Sequence, residues 1–328
     1  MADAARLFVD RALAPLKGWL ESPDVIEICV NRPGEVFIER LGGAEMERFA
    51  APDLTAAAIV NLAQRVAAMT AQHVNAETPI LSAVLPDGER FQAVLPPAAS
   101  EGGAIAIRKQ VVRELSLGDY ERDGRLSRIV VARGGRSPAR QRLVEFLEAG
   151  RFREFFEGCV RGRETMLISG GTGTGKTTFA NALLKEVPPG ERLISLEDTR
   201  ELRPPHANFV SLLASRGGQG RAKVTIQQLL EAVLRLRPDR VFLGELRGAE
   251  AFSFLRAVNT GHPGSLTTVH ANSPDGAYQQ IALMVMQAGV QLARAEVVDY
   301  IRHVVPVVVQ LGRVGNEPGG IEEVFCGF

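Results

Sequence analysis

Eight residues set the tightest limit on what this chain can fold into. Gly170-Gly171-Thr172-Gly173-Thr174-Gly175-Lys176-Thr177 follows the strand-like run Thr165 to Ser169 and precedes a helix-forming stretch from Lys176 to Glu186. A glycine loop of the form G-x-x-x-x-G-K-[ST] between a buried strand and a helix requires an α/β layer around it. The glycines let backbone N–H groups wrap around a phosphate, and the helix turns the positive end of its dipole toward the anion. Lys176 then reaches the β- and γ-oxygens of a nucleoside triphosphate, and Thr177 ligates Mg²⁺. The expected binding set is Gly171, Thr172, Gly173, Thr174, Gly175, Lys176, Thr177 and Thr178.

The flanking sequence supplies that layer. Strand-like segments at 193–196, 210–213, 240–243 and 265–269 alternate with helical stretches at 225–236 and 249–260, which predicts an α/β unit with a mostly parallel sheet. Helical stretches at 139–148 and 152–160 precede it, and VVPVVVQL and IEEVF around GNEPGG read as an added antiparallel hairpin. Before residue 125 the pattern is α+β. An amphipathic first helix leads to a hairpin, Val25–Val30 and Glu35–Glu39, around the turn Asn31-Arg32-Pro33-Gly34. Leu54, Ala58, Leu62, Val66 and Met69 fall at helical spacing, and strands are expected at 80–85, 90–95 and 104–107. The Arg-, Gly- and Pro-rich stretch 128–140 has the composition of a hinge. The expected division is therefore a smaller α+β domain at 1–130, a linker at 131–140 and a nucleotide-binding domain at 141–328.

Two acidic strand ends and one histidine complete the candidate chemistry. Arg240-Val241-Phe242-Leu243-Gly244-Glu245 is an apolar strand closing on a carboxylate, suited to hold Mg²⁺ or to orient an attacking water. Ile194-Ser195-Leu196-Glu197-Asp198 ends another strand in Glu197 and Asp198, a second acidic source beside the metal. The metal set is then Thr177, Glu197, Asp198 and Glu245. His270, at the end of Ser265-Leu266-Thr267-Thr268-Val269-His270, is placed to hydrogen-bond a γ-phosphate and report its presence.

Composition narrows the partners. With 38 basic and 38 acidic residues the formal charge is zero, and aromatic residues make up 6 %, so neither a basic groove nor a stacking platform for nucleic acid is expected. Cys29, Cys159 and Cys326 are too dispersed for a disulfide framework or a C-x-x-C metal site, which fits a reducing cytoplasm. No window approaches 18 uncharged apolar residues, which leaves peripheral attachment to a membrane as the route to one.

The ordered set GGTGTGKTT, ISLEDTRE, LRPDRVFLGELRG and TGHPGSLTTVHANS resembles the secretion ATPase superfamily, and it covers nearly all of residues 165–275. VNRPGEV at 30–36 and Ile105-Ala106-Ile107-Arg108-Lys109 are similar to the VirB-type traffic ATPases of type IV secretion and conjugation systems. The resemblance implies a RecA-like domain that hydrolyses ATP to ADP with Mg²⁺. It also implies a homohexameric ring docked peripherally on inner-membrane secretion components at the cytoplasmic face, with nucleotide between the two domains. By the same resemblance Glu197 and Glu245 are acidic catalytic residues and His270 a γ-phosphate sensor. Arg108, with Arg128 or Arg133, supplies the guanidinium groups that reach the phosphates. Two departures separate the chain from relatives: three dispersed cysteines build no four-cysteine zinc module, and Thr199-Arg200-Glu201 replaces the Pro-Ile-Glu of pilus retraction motors. The alternatives are a type IV pilus or filament motor, a nucleic-acid-dependent P-loop motor, and a nucleotide-binding scaffold with little turnover. For the secretion motor, the linker is the expected hinge about which hydrolysis rotates one domain against the other.

Overall fold

The computed structural model describes residues 2–110, 115–127, 129, 136–215, 220–315 and 317–328. The chain opens with α1 (Ala2–Ala12), a 3₁₀ turn at 14–16 and the short α2 (Lys17–Glu21). Then come β1 (Val25–Val30), β2 (Gly34–Arg40), β3 (Glu47–Ala51), α3 (Ala56–Met69), β4 (Ile80–Val84), β5 (Arg90–Val94) and β6 (Ala104–Arg108). The six strands form one antiparallel sheet in the order β3-β2-β1-β6-β5-β4.

Thr55 starts α3 by accepting a hydrogen bond from the Ala58 N–H at 3.1 Å. Ile59, Leu62, Ala63, Val66 and Ala67 then form a buried stripe at helical spacing. The expected stripe included Ala58, which is half-buried; Ile59 takes the core position one residue on. This stripe and Val9, Leu13 and Leu16 cover the sheet face that carries Ile28, Val30, Ile105 and Ile107. The opposite face carries Cys29, Ala104 and Ala106, and these join the core of the C-terminal half. Strict alternation along β6, large one way and small the other, thus assigns each face a partner, because small side chains let the second half approach closely.

After α4 (Leu117–Arg122), that half begins with α5 (Pro138–Glu148), α6 (Phe152–Arg161), β7 (Met166–Gly170) and α7 (Lys176–Leu184). It continues with β8 (Leu193–Glu197), β9 (Phe209–Leu213), α8 (Ile226–Val233), β10 (Arg240–Leu243), α9 (Glu250–Asn259) and β11 (Leu266–Val269). It ends with α10 (Pro274–Gln287), α11 (Arg294–Val304), β12 (Val307–Val314) and β13 (Glu317–Cys326). The sheet order is β13-β12-β7-β11-β10-β8-β9, parallel throughout except for the β12–β13 pair. This is the mostly parallel α/β unit that the motif order implies, behind a smaller α+β part.

The tail is more than an added hairpin. β12 runs parallel to β7 from Val307 opposite Met166 to Leu311 opposite Gly170, so it walls the strand that delivers the glycine loop. Helices α10 and α11 go beyond the elements that the sequence pattern predicts. In α10 the apolar residues Ala277, Tyr278, Ile281, Ala282, Met284 and Val285 spread over a wide face that packs against α9, α11 and β12, which blurs the 3.6-residue stripe.

The two halves meet through polar groups as well as the shared core. Arg192, fully buried at the start of β8, donates from Nε to the Leu236 carbonyl at 2.9 Å and from Nη1 to Asn208 Oδ1 at 2.7 Å, and Nη1 also donates to Asn31 Oδ1. Asn31 Nδ2 closes the triangle on Asn208 Oδ1 at 2.9 Å. Arg237 grips Glu39 through Nε at 2.8 Å and Nη2 at 2.6 Å. Of the expected linker, residues 131–135 lie outside the described residues, and α5 already begins at Pro138, capped by Ser137.

Candidate nucleotide site

Sheet order brings distant segments together at the C-terminal ends of β7, β8, β10 and β11. They surround a cleft of about 810 Å³ lined by the loop 172–178, Glu197, Asp198, Glu201, Glu245, Arg247 and His270. Open parallel sheets place ligands at this edge, since the loops that leave the strands diverge there.

The loop has the shape its glycines permit. Gly175 caps α7 at φ +87°, and a Cβ there would stand 3.1 Å from the Gly319 Cα on β13. Only glycine takes that backbone angle and that neighbour without strain. Thr174 Oγ1 donates to the Gly171 carbonyl at 2.9 Å, tying the loop to itself. Lys176 Nζ donates to the Gly170 and Gly171 carbonyls, both at 2.8 Å, and lies 3.4 Å from His270 Nδ1. Burial lowers the Lys176 pKa, while the nearby Glu245 charge works the other way.

The acidic groups divide their work. Glu245 Oε1 lies 3.0 Å from His270 Nε2, and its Oε2 accepts from Arg247 Nη2 at 2.6 Å. Arg247 Nη1 reaches Asp198 Oδ2 at 2.7 Å, so one guanidinium bridges the ends of β8 and β10. The hydrogen bond to Glu245 raises the Arg247 pKa, which keeps the bridge charged. Glu197 is almost fully buried and faces its own loop. Its Oε1 accepts the Glu201 and Leu202 N–H groups at 2.8 and 2.9 Å, and its Oε2 accepts from Ser195 at 3.0 Å. The carboxylate that the Thr177 hydroxyl meets is Glu201, at 2.8 Å.

The structure therefore gathers Lys176, Thr177, Glu197, Asp198, Glu245 and His270 around one cleft, and it separates Arg108 from them. Arg108 ends β6 and donates from Nε to Glu27 Oε2 at 2.6 Å, and no described residue before Thr172 lines the cleft. The nucleotide cleft of a single chain thus has no N-terminal wall among the described residues, although the expected position lay between the two domains. Arg128 and Arg133 lie outside the described residues. Sequence reasoning gave no role to Arg247 or Glu201. The available signals were their positions, two residues after Glu245 and four after Glu197, within runs already singled out.

Residues 11–313 match the model of the type II/IV secretion system protein family. The type IV secretion system protein VirB11 of Brucella suis is 39 % identical over 279 residues, 84 % of this chain and 77 % of that protein. The type IV secretion system protein PtlH of Bordetella pertussis is 41 % identical over 294 residues, 88 % of this chain and 85 % of that protein. The crystal structure of the Brucella suis VirB11 ATPase in complex with sulphate superposes with a TM-score of 0.91 at 36 % identity, covering 99 % of this chain and 96 % of that one.

Proposed function

This chain belongs to the type II/IV secretion system protein family, and on that premise we propose that it is the ATP-hydrolysing motor of a type IV secretion system, a Mg²⁺-dependent hexamer that powers substrate export or apparatus assembly. One observation carries the reading. A phosphate-cradling loop, two acidic strand ends and a histidine from four separate segments converge on a single cleft, joined by the contacts of Lys176, His270, Glu245 and Arg247.

The chemistry assigned to these residues is positioning plus electrostatics. The loop N–H groups and Lys176 hold the β- and γ-phosphates. Glu245, held by His270, orients the attacking water and accepts its proton. His270 links Glu245 to Lys176, so it registers whether Lys176 rests on the loop carbonyls or on a phosphate. Glu197 shapes the loop that presents Glu201 to Thr177.

The donor set suits Mg²⁺: the Thr177 hydroxyl and the carboxylates of Glu201, Asp198 and Glu245 are hard oxygen ligands. Among the described residues no three His, Cys, Asp or Glu side chains are placed to hold a metal by themselves, so the nucleotide's phosphates would have to complete the shell. When bound, the ion neutralises charge on the transferring phosphate.

The proposal keeps residues 1–130 and 141–328 as two units joined by 131–140. It moves the working motion from within a chain to between chains, because rotating one half against the other would break the Arg192–Asn31 and Arg237–Glu39 contacts and open the shared core. Among the described residues the cleft has no cis arginine from the N-terminal unit, so in this reading Arg108, Arg128 or Arg133 of a neighbouring copy supplies the guanidinium, and a head-to-tail contact of this kind closes into a ring. The ring works peripherally at the cytoplasmic face of the inner membrane. Among the described residues no helix is long and apolar enough to cross a membrane.

The test is Mg-ATP hydrolysis per protomer over a wide protein-concentration range, with Lys176→Ala as the blank. Specific activity that climbs with concentration and vanishes in the variant supports a site completed between copies. Activity independent of concentration overturns the ring.

A further inference from the structure

Arg247 has no part in the loop, yet it holds the two acidic strand ends together. Its guanidinium spans Asp198 Oδ2 at 2.7 Å and Glu245 Oε2 at 2.6 Å, which places oxygens from β8 and β10 a single guanidinium width apart. Two carboxylates at that spacing repel unless a cation lies between them. The backbone of Arg247 is anchored separately. Glu250 Oε1 accepts the Arg247 N–H at 2.7 Å and the Gly248 N–H at 2.8 Å. The side chain itself is 53 % exposed, against 23 % for Asp198 and 19 % for Glu245. The chain thus holds a half-exposed cation, on an anchored backbone, over two more buried anions.

We propose that Arg247 is the resident counter-ion of the nucleotide-free site, occupying the carboxylate pair that Mg²⁺ needs, so that guanidinium and metal exclude one another and entry of metal-bound nucleotide is coupled to release of Arg247. The inference rests on the Mg-ATP reading above. The carboxylate oxygens that Arg247 holds are hard donors of the kind Mg²⁺ takes. A guanidinium and a divalent cation on the same pair of oxygens would repel. Arg247 is a positioning residue here: it keeps Asp198 and Glu245 in register in the absence of metal and gives up that contact when metal arrives.

Two opposed effects follow from removing the guanidinium. Mg²⁺ no longer competes with an internal cation, so less of it is needed. Nucleotide without metal now faces the same carboxylates with one positive charge fewer beside them, so it binds more weakly. Two half-exposed ion pairs correspond to about a two- to tenfold change.

The experiment uses the full chain and a fluorescent ADP analogue, titrated with MgCl₂ at fixed nucleotide and separately in EDTA, for wild type, Arg247→Gln and Arg247→Lys. The expected result is a Mg²⁺ midpoint about two- to tenfold lower in Arg247→Gln, with weaker binding in EDTA. Arg247→Lys should fall between, since one ammonium spans both carboxylates poorly. If Arg247→Gln fails to fold, the shift in Arg247→Lys decides. A midpoint that stays or rises in the variants, or affinity lost equally with and without metal, overturns the role of Arg247 while leaving the nucleotide site intact. A wild-type chain with no Mg²⁺-dependent binding overturns both.

Discussion

Replacing Arg192 by Met tests whether the two halves are locked together. Met keeps most of the volume, so the substitution isolates polar loss. The Leu236 carbonyl and Asn31 Oδ1 each lose a donor, while Asn208 Oδ1 keeps Asn31 Nδ2. A buried acceptor left without a partner costs about 1–3 kcal/mol, so two cost about 2–6 kcal/mol. Part is recovered because the guanidinium is no longer desolvated, and its Nη2 has no partner. The net loss is about 2–5 kcal/mol. At about 2.1 cal/mol/K of unfolding entropy per residue, a chain of 328 residues gains about 0.7 kcal/mol/K, so each kcal/mol moves Tm by about 1.5 °C. Arg192→Met should therefore melt about 3–7 °C below wild type in a calorimetric scan. Asn31→Ala should be non-additive with it, because both remove the same contact. A Tm within about 1 °C of wild type, or full additivity, would refute the argument that this triangle holds β1 to β8.

Further outcomes follow from the site. Gly175→Ala should weaken nucleotide binding about tenfold in a fluorescence titration, since φ +87° costs a side chain about 1–2 kcal/mol and the new Cβ meets Gly319 at 3.1 Å. Gly34→Ala, at φ +86° with open space around it, should lower Tm and leave nucleotide affinity unchanged. Glu245→Gln should cut steady-state phosphate release about a hundredfold or more while ADP still binds, because the proton acceptor is lost and the loop is intact. Burial pushes the Cys29 thiol up to about 12, so at pH 8 about one molecule in ten thousand is thiolate. Iodoacetamide should then label the partly exposed Cys326 first, and reach Cys29 and Cys159 only in urea, as read by peptide mass.

How much of this was legible in the sequence depends on the range of the interaction. The glycine loop, the strand before it and the helix after it are local, because backbone freedom at Gly175 and the dipole at Lys176 act within a few residues. The alternation in Ala104-Ile105-Ala106-Ile107 likewise shows a two-faced strand before any partner is known. The ring was expected from resemblance alone; the choice of secretion over pilus motor came from VNRPGEV, Ile105-Ala106-Ile107-Arg108-Lys109 and Thr199-Arg200-Glu201, and the nucleic-acid motor was disfavoured by zero formal charge and 6 % aromatic residues.

Tertiary structure decided what spacing along the chain cannot. Glu197 and Glu201 are four residues apart in one acidic run, and only the fold turns Glu197 inward onto N–H groups and gives Glu201 to Thr177. Arg247 becomes a bridge because parallel β8 and β10 end side by side, with Leu243 opposite Leu196. Arg108 reads as a phosphate ligand by motif, but β6 pairs with β1 in the register that sets Arg108 opposite Glu27, whose carboxylate takes its guanidinium. The sequence by itself determined where a phosphate can be cradled, since that is a property of consecutive backbone groups. Which carboxylates and cations surround it was decided by strand order and packing, which act between residues that are far apart in sequence.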